Sequence, residues 1–128
     1  MKWTIEHDPT DNFFRVNCYR QFSDHDCRKM LDALAFSEDW RRDADILIDY
    51  RETDFTGIRV DDLQIVLNYH KQLAPVLGDG KLALVMGSVR DLQLARQYEM
   101  LNEKIVHAKI MVFDDDEKAI AWFSTNRF

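Results

Sequence analysis

Three short apolar runs, "ADILIDY" at 44–50, "KLALVMG" at 81–87 and "HAKIMVF" at 107–113, are each followed by a segment whose apolar residues recur at helical spacing. A short, β-branched run with polar groups only near its ends reads as a strand covered on both faces. Two parallel strands cannot be joined by a tight turn and need a crossover of a dozen or more residues, usually a helix. Strand followed by helix, repeated, therefore restricts the chain to an α/β architecture with a mostly parallel sheet.

The start of the chain departs from this rule. "KWTIEH", a turn at "DPTDN" and "FFRVNCYRQF" read as a hairpin, because Phe14, Val16 and Cys18 alternate onto one face. In "SDHDCRKMLDALAF", Ser23 and Asp26 are spaced as a capping box before Cys27, Met30, Leu31, Leu34 and Ala35 at helical spacing. A second helix is expected over 61–77, capped by Asp61 with Gln64 three residues on, and bent or shortened near its end by Pro75. Ser88 and Asp91 open a third helix over 89–105, and "DDDEKAIAWF" supplies a fourth. The expected order is β-β-α-β-α-β-α-β-α, a mixed sheet of about five strands with about four helices. Right-handed crossovers place the loops 50–61, 87–90 and 114–117 along one sheet edge, where a ligand or switch belongs.

At 128 residues with 46% hydrophobic content, the chain suits one domain over 1–128, able to bury roughly two-thirds of its unfolded surface. A net charge of −6, spread along the chain, disfavours phosphate backbones and anionic membranes, so neither nucleic acid nor membrane insertion is expected. The opening "MKWTIEHDPTD" lacks the apolar stretch of a secretory signal, which gives a cytoplasmic expectation. Cys18 and Cys27 lack CxxC spacing and fall on apolar faces, and read as buried free thiols.

Few motifs carry chemistry. His7, His25, His70 and His107 fall in separate elements without metal-ligand spacing, and no GxSxG, Walker or GxGxxG pattern occurs. The expectation is a non-enzyme without metal or cofactor. The acids of "FDDDEKAI" read as a cap and first-turn charges rather than a cation site. Asp49, ending "ILID", raises a receiver-domain comparison, but that arrangement needs an acidic pair after an earlier parallel strand, where this chain has a hairpin.

"DFTGIRVDD" at 54–62 is the turn of most interest. Thr56 is either a hydroxyl available for phosphate near a helix N-terminus, or a turn residue bonded to local backbone, with Gly57 supplying a permissive conformation. The helices raise a second question. Leu63, Val66, Leu67, Ala74 and Leu77 form one stripe on the second helix, and Ile65, Tyr69 and Val76 form another beside Leu73. The third helix carries Leu94, Tyr98, Leu101 and Ile105, with Val89, Leu92 and Met100 nearly opposite. The extra stripes would pack on neighbouring helices, form a homodimer contact or partner face, or line an apolar ligand pocket.

The element order, with "ILIDY…DFTGI…DDL", "KLALVMG" and "ARQYEML…FDDDEKAIAWF", resembles the SpoIIAA-like (STAS) class, and looks like its small stand-alone bacterial members of unassigned activity, related to anti-sigma-factor antagonists. In those antagonists the turn after a central strand reads Asp-Ser-Ser-Gly-Leu, and a kinase phosphorylates the second serine. The resemblance places Thr56 at the phosphoacceptor position, within a switch loop of Asp54, Gly57, Ile58 and Arg59; Phe55 stands where the first serine would be. It implies a regulatory, protein-binding module. The same general fold is similar to Sec14-like lipid carriers, which implies as an alternative a small-molecule or lipid site using Ile65, Tyr69 and Leu73.

Overall fold

The computed structural model describes residues 1–105 and 109–125, the side chains of 103–105 excepted. His107 and the start of the "HAKIMVF" run lie outside the described residues, as does the Ile105 side chain. The elements are β1 (Lys2–Asp8), β2 (Phe13–Gln21), α1 (Asp24–Ala35), β3 (Asp45–Asp54), α2 (Val60–Leu77), β4 (Leu82–Val85), α3 (Val89–Ile105), β5 (Ile110–Phe113) and α4 (Asp116–Phe123). The sheet has five strands in the order β1-β2-β3-β4-β5. β1 and β2 are antiparallel, and every later pairing is parallel.

Strand periodicity divides the sheet into two faces. Phe14, Val16 and Cys18 of β2, Ile46, Ile48 and Tyr50 of β3, and Leu82 and Leu84 of β4 pack beneath α1, α2 and α3. The alternate positions Phe13, Leu47, Ala83 and Val85 pack against Ala119 and Phe123 of α4. Successive parallel neighbours joined by crossovers of one hand place three helices on one face, and α4, which has no strand after it, closes the other. Both cysteines are free and buried.

Three local expectations are corrected. β3 continues past Tyr50 to Asp54, carried by a register shift: Asn17 pairs with Asp49, but Tyr19 pairs with Glu52. That leaves one extra residue on β3, a bulge, which an alternation pattern cannot reveal because it changes the parity of the face. Second, α2 is capped at Arg59 rather than Asp61 with Gln64: the Arg59 amide donates to the Asp62 carboxylate at 2.9 Å. The acid acts from inside the first turn, so the helix begins at Val60. Third, Pro75 neither stops nor shortens α2, which runs to Leu77 before Gly78 donates to the Ala74 carbonyl at 2.8 Å. In the last turn a proline forfeits only one ladder bond.

Ser23, Ser88 and Asp115 cap their helices, but the Asp26 carboxylate expected to close a capping box with Ser23 accepts instead from the N-terminal ammonium at 2.8 Å. Ser23 Oγ accepts from Asp26 N at 3.2 Å, Ser88 Oγ from Asp91 N at 3.1 Å, and Asp115 from Glu117 N at 2.7 Å.

Candidate functional site

β3, β4 and β5 run parallel, so the segments after them share one edge of the sheet. The backbones there are close: a Cβ built on Gly87 would lie 2.8 Å from the Arg51 carbonyl oxygen, so β3 and the β4–α3 turn admit only glycine at that approach.

The 54–59 segment is a tight turn with an anchored base and an exposed crest. Ile58 N donates to the Phe55 carbonyl at 3.1 Å. Gly57, third residue of that four-residue turn, has φ of +81°, the left-handed conformation a type II turn requires there. The Thr56 amide donates to Asp54 Oδ1 at 2.8 Å. Hydrogen bonds from the Thr56 hydroxyl and amide, with the charge of Arg90, hold the Asp54 carboxyl below its ordinary range. Thr56 and Gly57 are exposed at the crest. Phe55 is buried and packs on Phe22, ring centroids 5.0 Å apart, and edge-on to Tyr50 at 5.2 Å. Ile58 packs against the same core. The position that carries serine in the antagonist pattern is thus an apolar anchor.

On the α4 side of the edge, charges from distant parts of the chain meet. Arg51, at the bulge, grips Asp49 with two nitrogens, Nη2 to Oδ2 at 2.7 Å and Nε to Oδ1 at 3.0 Å. Arg15 donates to Asp116 at 2.8 Å, and Arg51 Nη2 lies 3.5 Å from the same carboxylate. Burial alone would raise the Asp49 carboxyl, but the hydrogen bonds and charge of Arg51 bring it below the ordinary value. The Arg15 hydrogen bond does the same for Asp116. Asp49 is an ionised structural acid tying β3 to the first turn of α4. Among the described residues, no cluster of His, Cys, Asp and Glu has the form of a metal site.

The apolar stripes divide. Tyr69 donates to the Asp32 carboxylate of α1, and Tyr69 and Leu73 both pack against the helix-side core. Ile65, 43% exposed, does not share that burial. Tyr69 and Leu73 therefore seat α2 against the rest of the helix layer, and only Ile65 of the three faces outward.

Beneath the opposite flank of α2 lies a cavity of about 40 Å³ between the helices and the sheet. Its wall includes Cys27, Tyr50, Phe55, His70, Met86 and Tyr98. Cys27 Sγ and Tyr50 Oη are 3.6 Å apart. Burial pushes the Cys27 thiol up to about 11 and lowers His70 to about 4, so both are neutral at pH 7. His70 Nδ1 is buried with no hydrogen-bond partner. The sequence did hold a signal for this site: His70 lies three and four residues after Leu67 and Val66, on the core stripe. The Arg15, Asp49, Arg51 and Asp116 cluster had none, because it depends on a bulge and on residues 101 positions apart.

No family model and no curated protein matches this chain. Among solved structures, it is similar to a crystal structure, at 2.25 Å, of an uncharacterised DUF3478-family protein from Shewanella loihica PV-4 described as having a SpoIIAA-like fold. The likeness has a TM-score of 0.61 at 17% identity and covers 95% of this chain and 92% of that one. At that identity it speaks for architecture alone, and it agrees with the hairpin, the strand order and the four helices: this chain has a SpoIIAA-like α/β fold.

Proposed function

We propose that the chain is a non-enzymatic regulatory module that binds a protein partner through the 54–59 turn and the start of α2, with Thr56 as a phosphorylation switch. The observation that carries this reading is the build of the turn: Phe55 and Ile58 hold its base in the core while Thr56 and Gly57 stand exposed. Such a crest offers a hydroxyl to an enzyme without unfolding its support. Val60 and Val89, 44% and 73% exposed at the first positions of α2 and α3, add apolar surface at the same edge.

The switch follows from charge. A phosphate adds about −1.5 to −2 at pH 7. Placed on Thr56, it would stand beside the Asp54 carboxylate that now accepts from Thr56, and repulsion would open that contact. Arg59 and Arg90, both exposed, are the cations able to receive it. The unmodified crest docks, and the modified one is redirected. The test is binding to a partner captured with the wild-type chain: Thr56→Ala retains binding and Thr56→Glu weakens it at least tenfold. Equal binding by both variants overturns the switch.

The second reading is a small-molecule or lipid-binding domain of Sec14-like type. The cavity favours ligand binding, but it lies under the flank of α2 that carries Leu63, Val66 and His70, while Tyr69 and Leu73 are engaged in helix packing. At about 40 Å³ it has no room for an acyl chain.

A further inference from the structure

We infer that the free edge of β1 pairs with the β1 edge of a second copy of this chain, antiparallel and centred on Thr4, joining two five-stranded sheets into one. The inference goes beyond the switch at Thr56 and does not depend on it, because β2 stands between β1 and the strand that carries that turn.

The first observation is an unguarded edge. β1 ends the sheet, and among the described residues it pairs with β2 alone. An edge strand presents a row of backbone donors and acceptors that another chain can complete, and proteins commonly prevent this with a very short strand, a proline or a bulge. β1 has seven residues, Lys2–Asp8, without proline, and its register with β2 runs unbroken from Lys2 opposite Tyr19 to Asp8 opposite Phe13. Its far end is held by the Asp8 carboxylate, which accepts from the Thr10 and Asp11 amides at 2.9 and 3.0 Å.

The second observation is the order of the side chains. Lys2, Thr4 and Glu6 are exposed on one face, and Trp3 and Ile5 pack against the rim of the helix-side core but are only partly buried. Directly opposed residues of an antiparallel pair share a face. A two-fold axis through Thr4 therefore sets Lys2 opposite Glu6 of the second copy, and Glu6 opposite its Lys2. On the other face Trp3 meets Ile5, twice, and extends the apolar layer across the join. Like charges would guard this edge by meeting one another, whereas opposite charges at matched distances from Thr4 attract. Neighbouring registers lose that match. Centred on Trp3, Lys2 would face Thr4. Centred on Ile5, it would face the Asp8 carboxylate already engaged in the turn, and Glu6 would face Thr4. The contact uses the same strand of both copies, so it closes at a dimer.

The experiment is sedimentation equilibrium of the wild-type chain and of variants at these exposed positions, with circular dichroism to confirm that each is folded. The wild type should be a dimer that dissociates on dilution. Glu6→Lys and Lys2→Glu each set like charges opposite one another and should each weaken the dimer about tenfold, and the variant carrying both should restore it. Under oxidation, Thr4→Cys should form a disulfide-linked dimer, since directly opposed residues lie about 4.5–5.5 Å apart at Cα, within reach of a disulfide. The native cysteines are buried and do not compete. A wild-type chain that stays monomeric at every concentration overturns the inference and leaves the edge open to a strand from a different protein. A dimer that ignores both charge reversals and is not captured through Thr4→Cys also overturns it, and assigns the contact to another surface, such as the exposed Ile65 and Val76 of α2.

Discussion

The two faces of the sheet are held by different means. On the helix side, three helices cover a continuous apolar layer that nevertheless contains a cavity and an unbonded histidine nitrogen. On the other side, one helix of eight residues is fastened at both ends by charge. Arg15 and Arg51 reach Asp116 in its first turn, and Lys81 Nζ donates at its end to the carbonyls of Trp122, at 2.8 Å, and Thr125. Ala119 and Phe123 leave little space between α4 and the sheet. The difference shows where the molecule can absorb change. Phe55 belongs to the cavity wall and directly precedes Thr56, so the adjustable face is also the one on which the exposed turn is seated.

The two faces should lose stability in different pH windows, and this carries the largest expected effect. Burial lowers His70 to about 4 from an ordinary value near 6.5, so the unfolded chain binds the proton more readily. The stability from keeping His70 neutral is complete above about pH 6.5 and is lost as pH falls toward 4, by about 3 kcal/mol in all. Asp49 and Asp116 are also lowered, but from the carboxylate value of 3.8, so what they contribute is lost only in stronger acid. Urea unfolding across pH should show two separate declines, with His70→Leu flattening the first alone and Asp116→Asn the second alone. A single decline moved by both substitutions would break the comparison.

Removing the fastening at the end of α4 should cost somewhat less. Lys81→Met withdraws a charged donor from the carbonyls at the end of α4 and should destabilise the chain by about 2 kcal/mol in chemical denaturation, with amide exchange rising first in α4. Exchange rising equally in α2 would show that the two faces do not come apart.

A smaller contrast probes space directly. Ala95 lines the cavity, whereas Ala119 is fully buried against the sheet. Ala119→Val should cost about 1–2 kcal/mol by overpacking, and Ala95→Val should change stability by less than about 0.5 kcal/mol, because its added methyls enter existing space. Equal costs would mean that the cavity cannot be filled. The smallest effect belongs to the turn: Gly57→Ala at φ +81° should cost about 1 kcal/mol, although its new methyl would meet nothing within 4 Å.

The legible parts of this fold are those governed by local pattern. Alternation at Phe14, Val16 and Cys18 and the buried runs at 44–50 and 81–87 define strands whose partners follow from crossover geometry, which is why the parallel sheet and its edge loops were readable. The caps at Ser23, Ser88 and Asp115 were readable for the same reason, each being a contact across two or three residues. Arg59 was not, because its cap is made by backbone and by the Asp62 carboxylate rather than by its own side chain. The bulge in β3 escaped pattern reading because Arg51 and Glu52 look like the end of a strand until β2 is seen to continue beside them. In the candidate site, the turn at Thr56 was visible in "DFTGI". The cavity was marked only by His70 on the core stripe of α2, since a void is a property of three helices packed at once.

Mass spectrometry of the chain isolated from its own cells, native and then denatured, with fragmentation to place any covalent mass, tests the central claim most directly. The account predicts a phosphate on Thr56 in a fraction of molecules that rises or falls with growth state. A Thr56 that stays bare in every growth state would contradict the switch.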